Sequence, residues 1–162
     1  MTGVERALTR STDETLELAG SVGELLRAGD VVSLVGDLGA GKTVFARGVA
    51  RALGVTEPVV SPSFTIVREY DGRMPLVHVD VYRIDTVQEL YDLGFEEIFD
   101  GRVTLVEWGN VVEPALPGDR VVVDLAPGAE DSERIITIAA QGSAWSARHT
   151  DLERALAKFE ER

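Results

Sequence analysis

Four residues of the chain, Gly36, Gly41, Lys42 and Thr43, satisfy the pattern G-x-x-x-x-G-K-[ST], and the residues between them are Asp37, Leu38, Gly39 and Ala40. This pattern grips phosphate. Successive main-chain N–H groups of residues 37–43 wrap the anion, the lysine reaches its outer oxygens, and the threonine hydroxyl serves as a ligand for Mg²⁺. Glycine is required because a Cβ would obstruct both positive φ angles and the close approach of main chain to phosphate. A helix beginning near Lys42 adds its free N–H groups and the positive end of its dipole. The apolar run Val31 to Val35 stands before the loop and Val44, Phe45, Val49 and Leu53 recur at helical spacing after it, the strand-loop-helix context that the motif needs.

A phosphate loop needs a second group to hold the magnesium, usually an acid ending a neighbouring buried strand. Glu107 fits, because it closes the apolar run Val103 to Val106 at the end where open α/β sheets place ligands. The alternative is a strand-end surface acid, and Trp108 reads as a packing residue beside the site. In His78-Val79-Asp80-Val81-Tyr82 the three polar side chains share one strand face, with Arg83 following. Asp80 could orient the attacking water or join the magnesium shell, and Arg83 could stabilise charge on the phosphoryl group. A polar network facing solvent is the competing account. His78 is the weakest candidate, a single histidine with no metal-binding partner in its motif. Ser61, Ser63 and Thr65 put hydroxyls on a proline-shaped turn that could sense a γ-phosphate, as switch loops do.

The elements that carry these residues follow from the pattern. At 162 residues the chain suits a single domain, 1–162, with residues 1–10 loose and residues 143–162 forming a C-terminal helix. Ser11 or Thr12 caps a helix through Leu18, Val22, Leu25 and Leu26. Thr12 stands where it could lie over an adenine, though capping explains it equally well. Phe64 to Tyr70 and Pro75 to Val81 flank Asp71-Gly72-Arg73-Met74 as a hairpin, and Val121 to Leu125 with Ile135 to Ala140 reads as a second. Asp85 or Thr86 caps a helical stretch through Leu90 and Leu93, interrupted near Gly94. The fold class expected is α/β: a three-layer P-loop NTPase-like fold with a mixed, mostly parallel central sheet and antiparallel hairpin additions. Cysteine is absent, which excludes disulfides and thiolate chemistry. No apolar run is long enough to cross a bilayer and no cleavable signal pattern opens the chain, so a cytoplasmic location is expected. The net charge of −12 argues against direct binding along a nucleic-acid backbone.

Taken in order and spacing, Gly36-Asp37-Leu38-Gly39-Ala40-Gly41-Lys42-Thr43, Ser61-Pro62-Ser63-Phe64-Thr65, His78-Val79-Asp80-Val81-Tyr82-Arg83 and Val106-Glu107-Trp108 resemble the bacterial TsaE (YjeE) P-loop ATPases over roughly residues 12 to 125. The Ser-Pro-Ser turn departs from that family's usual Ser-Pro-Thr but keeps the hydroxyl. The resemblance implies a place in the machinery that makes threonylcarbamoyladenosine at position 37 of transfer RNAs reading ANN codons. In that family TsaE hydrolyses ATP while bound to the TsaB–TsaD pair, TsaD performs the transfer, and TsaE resets or drives the complex without touching the tRNA base. By motif match Lys42 would bind phosphates, Thr43 and Glu107 the Mg²⁺, Asp80 would support hydrolysis, and Thr12 would lie near the base.

Two other classes use the same loop. A GTPase switch carries an N-K-x-D guanine reader, which this chain lacks, since its one asparagine, Asn110, is followed by Val111. A small-molecule kinase needs a basic lid over the phosphates, and no arginine-rich segment follows Val81. A regulatory ATPase working through partner proteins fits best.

Overall fold

The computed structural model describes residues 3–37, 39–60, 67–81, 87–92 and 94–160. Its strands are β1 (Gly3–Thr9), β2 (Val31–Val35), β3 (Val67–Tyr70), β4 (Leu76–Asp80), β5 (Val103–Glu107), β6 (Arg120–Pro127) and β7 (Arg134–Gln141). The helices are α1 (Thr12–Gly23), α2 (Lys42–Ala52), α3 (Val87–Asp92), α4 (Phe95–Ile98), α5 (Ser143–Ser146) and α6 (His149–Leu156), with a 3-10 segment at Gly109–Ala115. One seven-stranded sheet runs in the order β1-β7-β6-β2-β5-β4-β3. Its centre, β6-β2-β5-β4, is parallel, while β3 on one edge and β7 and β1 on the other are antiparallel.

Burial follows from what covers each strand. Val31 to Leu34 of β2 and all of β4 and β5 are buried, as parallel strands covered on both faces require. One apolar cluster joins Leu34, Leu76 and Leu105 to Leu18, Phe45 and Val49 of α1 and α2, and a second joins Val77, Val79 and Val106 to Ile98, Val112 and Leu116 on the opposite face. β6 and β7 instead alternate between buried and more exposed residues, and their buried positions all belong to the first cluster. Three layers therefore cover β2, β5 and β4, and the part of the sheet made by β6 and β7 is two layers thick.

Helix α2 is seated on α1 through very close contact. A Cβ added at Gly48 would come within 2.5 Å of the Ala19 Cβ and 2.6 Å of the Leu16 carbonyl oxygen. Ser11 is the N-cap of α1, its hydroxyl accepting from the Glu14 N–H at 3.1 Å.

Both expected hairpins form, β3 with β4 and β6 with β7, although Phe64 to Ile66 fall outside the described residues. The interruption at Gly94 is also present, in a left-handed conformation (φ 76°) between α3 and α4. Asp85, Thr86 and Leu93 lie outside the described residues. Two expectations are corrected. Residues 3–9, expected to be loose, form β1, because Gly3 to Thr9 pair with Arg134 to Ala140 of β7. The single C-terminal helix is instead α5 and α6 with a break at Ala147 and Arg148. The break lets Trp145 bury and turns Arg148 back onto Asp30, which it meets in a two-pronged ion pair at 2.6 and 2.9 Å while stacking on the Trp145 ring at 3.8 Å. Among the described residues no helix is long and apolar enough to cross a membrane.

Candidate functional site

β2 delivers the chain to a turn that only glycine can make. Gly36 has φ 155°, and a Cβ there would stand 2.6 Å from the Leu125 carbonyl oxygen and 2.9 Å from the Ala40 Cβ. Gly41, at φ 105°, is the N-cap of α2, and no side chain caps that helix, so its first-turn N–H groups are left to an external acceptor. Lys42 opens α2 with its side chain folded into the loop. Its Nζ donates to the carbonyls of Gly36 (2.5 Å) and Asp37 (2.8 Å) and lies 4.1 Å from the centre of the Trp108 ring. Burial pulls the ammonium below the ordinary lysine range, and the negative charges of Glu107, Asp80 and Asp37 oppose that shift. Trp108 reaches this position from a left-handed backbone (φ 64°), a strained conformation for a bulky residue.

The parallel register brings the acids to the same place. β4 and β5 pair with Asp80 opposite Glu107, and both strands end beside the loop. Glu107, 3% exposed, holds its Oε1 3.4 Å from the Thr43 Oγ1 and its Oε2 2.5 Å from the His78 Nε2. The imidazole donates from Nε2 to the carboxylate. Its Nδ1 finds no partner among the described residues, so the whole hydrogen-bonding capacity used by this ring goes to Glu107. Two hard oxygen donors, hydroxyl and carboxylate, at this separation suit a divalent cation of the magnesium kind.

Of the residues singled out in the sequence, Asp37, Gly39, Ala40, Gly41, Lys42, Thr43, Asp80 and Glu107 converge on one end of the sheet. Thr12 does not join them by any hydrogen bond among the described residues; it is exposed as the first residue of α1. Leu38, Ser61, Ser63, Thr65, Tyr82 and Arg83 lie outside the described residues. His78 is not a solvent-facing polar residue but a fully buried brace on Glu107. The sequence reading missed Arg134 altogether: its guanidinium contacts the carbonyls of Gly39 and Ala40 from the far side of the loop. Nothing in the local sequence around Arg134 signals this, because the contact joins residues 94 and 95 positions apart in the chain, across β6. A cleft of about 270 Å³ opens beside Gly36 and Asp37, walled by Trp108, Asn110 and Asp124, with room for parts of a ligand beyond its phosphates.

Comparison with known proteins places this site in context. The family model described as "Threonylcarbamoyl adenosine biosynthesis protein TsaE" matches residues 9–136. A Bacillus subtilis (strain 168) protein named tRNA threonylcarbamoyladenosine biosynthesis protein TsaE is 44% identical over 148 residues, covering 90% of this chain and 92% of that one. A protein of the same name from Treponema pallidum (strain Nichols) is 41% identical over 135 residues, 83% of this chain and 99% of its own. The crystal structure of Bacillus subtilis YdiB superposes with a TM-score of 0.81 at 39% identity, covering 95% of this chain and 97% of that one.

Proposed function

The chain belongs to the TsaE family, and from that premise we propose that it is the ATP-binding, ATP-hydrolysing subunit required for threonylcarbamoyladenosine formation at position 37 of tRNA, acting through TsaB and TsaD. The observation that carries the ATPase reading is the meeting of Thr43 and Glu107, 3.4 Å apart, at the mouth of the Gly36–Thr43 loop. In this reading the loop amides and Lys42 take the β- and γ-phosphates, Lys42 giving up its two carbonyl partners to do so. Thr43 and Glu107 would hold Mg²⁺, which neutralises charge on the phosphates. Asp80 orients a water molecule for attack on the γ-phosphorus; the bond to the β–γ bridging oxygen breaks, and ADP and phosphate leave. His78 keeps the Glu107 carboxylate in place throughout. TsaB and TsaD enter as partners through the resemblance to the TsaE family, and the relatives' names support the modification pathway.

A phosphate-release assay tests the reading. The chain alone should release phosphate slowly from ATP with Mg²⁺, a TsaB–TsaD preparation should accelerate it, and Lys42→Ala should abolish nucleotide binding or turnover. Transfer of the γ-phosphate to a metabolite instead of water would establish a kinase, and indifference to TsaB–TsaD would remove the support for the complex.

A further inference from the structure

One side chain ties the β6–β7 turn to the glycine loop. Arg134 donates from Nε to the Ala40 carbonyl at 3.0 Å and from Nη2 to the Gly39 carbonyl at 3.3 Å, while Nη1 donates to the carbonyls of Asp131 and Glu133 at 2.7 Å each. Four bonds from a group with five N–H donors thus divide evenly between the two segments. The base of this side chain is itself fixed, since Arg134 sits in the sheet with Pro127 of β6 on one side and Thr9 of β1 on the other. The loop it touches takes positive φ at Gly36, Gly39 and Gly41, and its internal bonds, from Lys42 Nζ to the Gly36 and Asp37 carbonyls and from the Ala40 N–H to the Asp37 carbonyl, leave the Gly39 and Ala40 carbonyls to Arg134.

The direction of these bonds matters for what the loop presents. No peptide in the described chain is cis, so the C=O and N–H of each peptide unit point opposite ways. Turning the Gly39 carbonyl onto Arg134 aims the Ala40 N–H inward, where it closes the loop on the Asp37 carbonyl at 3.0 Å. Turning the Ala40 carbonyl onto Arg134 likewise aims the Gly41 N–H away from the guanidinium. Were the Ala40–Gly41 peptide to flip, a carbonyl oxygen would face an incoming anion, and a flip of the Gly39–Ala40 peptide would set its carbonyl against that of Asp37 and break the bond that closes the loop.

The geometry points to Arg134 as a positioning residue for phosphate binding: it holds the Gly39 and Ala40 carbonyls outside the cradle, so that the Gly41 N–H faces the phosphate before any ligand arrives. This rests on the nucleotide reading above and adds a residue that acts through the loop. An arginine suits the task where a lysine does not, because a planar fork spans several carbonyls and a single ammonium does not.

The test uses the full chain, with fluorescent ADP and amide NMR of ¹⁵N-labelled protein. Arg134→Lys and Arg134→Gln should each weaken ADP binding about tenfold, the loss of one net hydrogen bond to a charged group. The ADP-induced shift of the Gly41 amide should shrink in step. Folded variants that bind ADP within about twofold of the wild type and keep that shift would overturn the positioning role while leaving the nucleotide reading intact. A wild-type chain that binds no ADP would overturn both. A wild-type measurement keeps the proposal open to refutation even if the variants fail to fold: the Arg134 Nε–H should be protected from exchange in nucleotide-free protein, and an unprotected Nε–H would sink the proposal.

Discussion

Glu107 sends its two carboxylate oxygens to different neighbours, Oε2 to His78 and Oε1 toward Thr43. A carboxylate free to rotate would offer Thr43 and a cation an averaged position; one pinned by a buried imidazole offers a fixed lone pair. Partners behind a metal ligand typically contribute 10–100-fold to metal affinity. His78→Leu is therefore expected to raise the Mg²⁺ concentration needed for half-maximal ATP hydrolysis by roughly 10–100-fold. His78→Gln, whose amide can donate in the same direction, should lie between. Unchanged Mg²⁺ dependence in a folded His78→Leu variant would mean that Glu107 needs no brace. The sequence made Glu107 easy to find, because it ends an apolar strand after a phosphate loop. It hid the role of His78, because that role depends on the register that sets Asp80 against Glu107. Alternation told which residues share a face, but not which strand lies next to them.

At the scale of elements, the site depends on how closely α2 can approach α1. Alanine at Gly48 would gain about 1 kcal/mol of helix propensity. It would also force a Cβ to within 2.5 Å of the Ala19 Cβ and 2.6 Å of the main-chain oxygen of Leu16, where no flexible atom can yield. Overpacking of this kind costs about 1–3 kcal/mol and outweighs the propensity gain. We expect Gly48→Ala to lower the melting temperature by several degrees, about 2–4 °C for each net kcal/mol in a chain of this size. A calorimetric midpoint equal to or above the wild type would show that the helices part without cost. The elements legible in the sequence were the local ones: the loop with its flanking strand and helix, the two hairpins and the interruption at Gly94. Those missed are held by distant partners. β1 exists because β7, some 130 residues later, offers it an edge, and its own sequence carries no strong period. The C-terminal segment breaks where Arg148 turns back to Asp30, an ion pair across 118 residues that no helical periodicity could report.

For the molecule as a whole, charge decides how it can take part in a reaction on RNA. The chain carries 16 basic and 28 acidic side chains, for a net −12, and only Lys42 and Lys158 are lysines. Of these, Lys42 is buried in the loop and Lys158 is paired with Glu17. The other basic side chains are arginines, and acidic groups outnumber all of them, so the net charge of −12 repels a polyanion and opposes the counterion-release drive of protein–nucleic acid association. That charge fits the indirect role in the proposed assembly, in which protein partners would carry the tRNA. Titrating labelled tRNA with the chain alone at about 150 mM salt should give no saturation in the nanomolar range, nor a steep dependence on salt. Adding TsaB and TsaD should bring the chain into a tRNA-containing complex that depends on both proteins. Tight, salt-sensitive binding of tRNA by the isolated chain would instead mean that a local basic surface overrides the net charge of −12, and the indirect role would have to be abandoned.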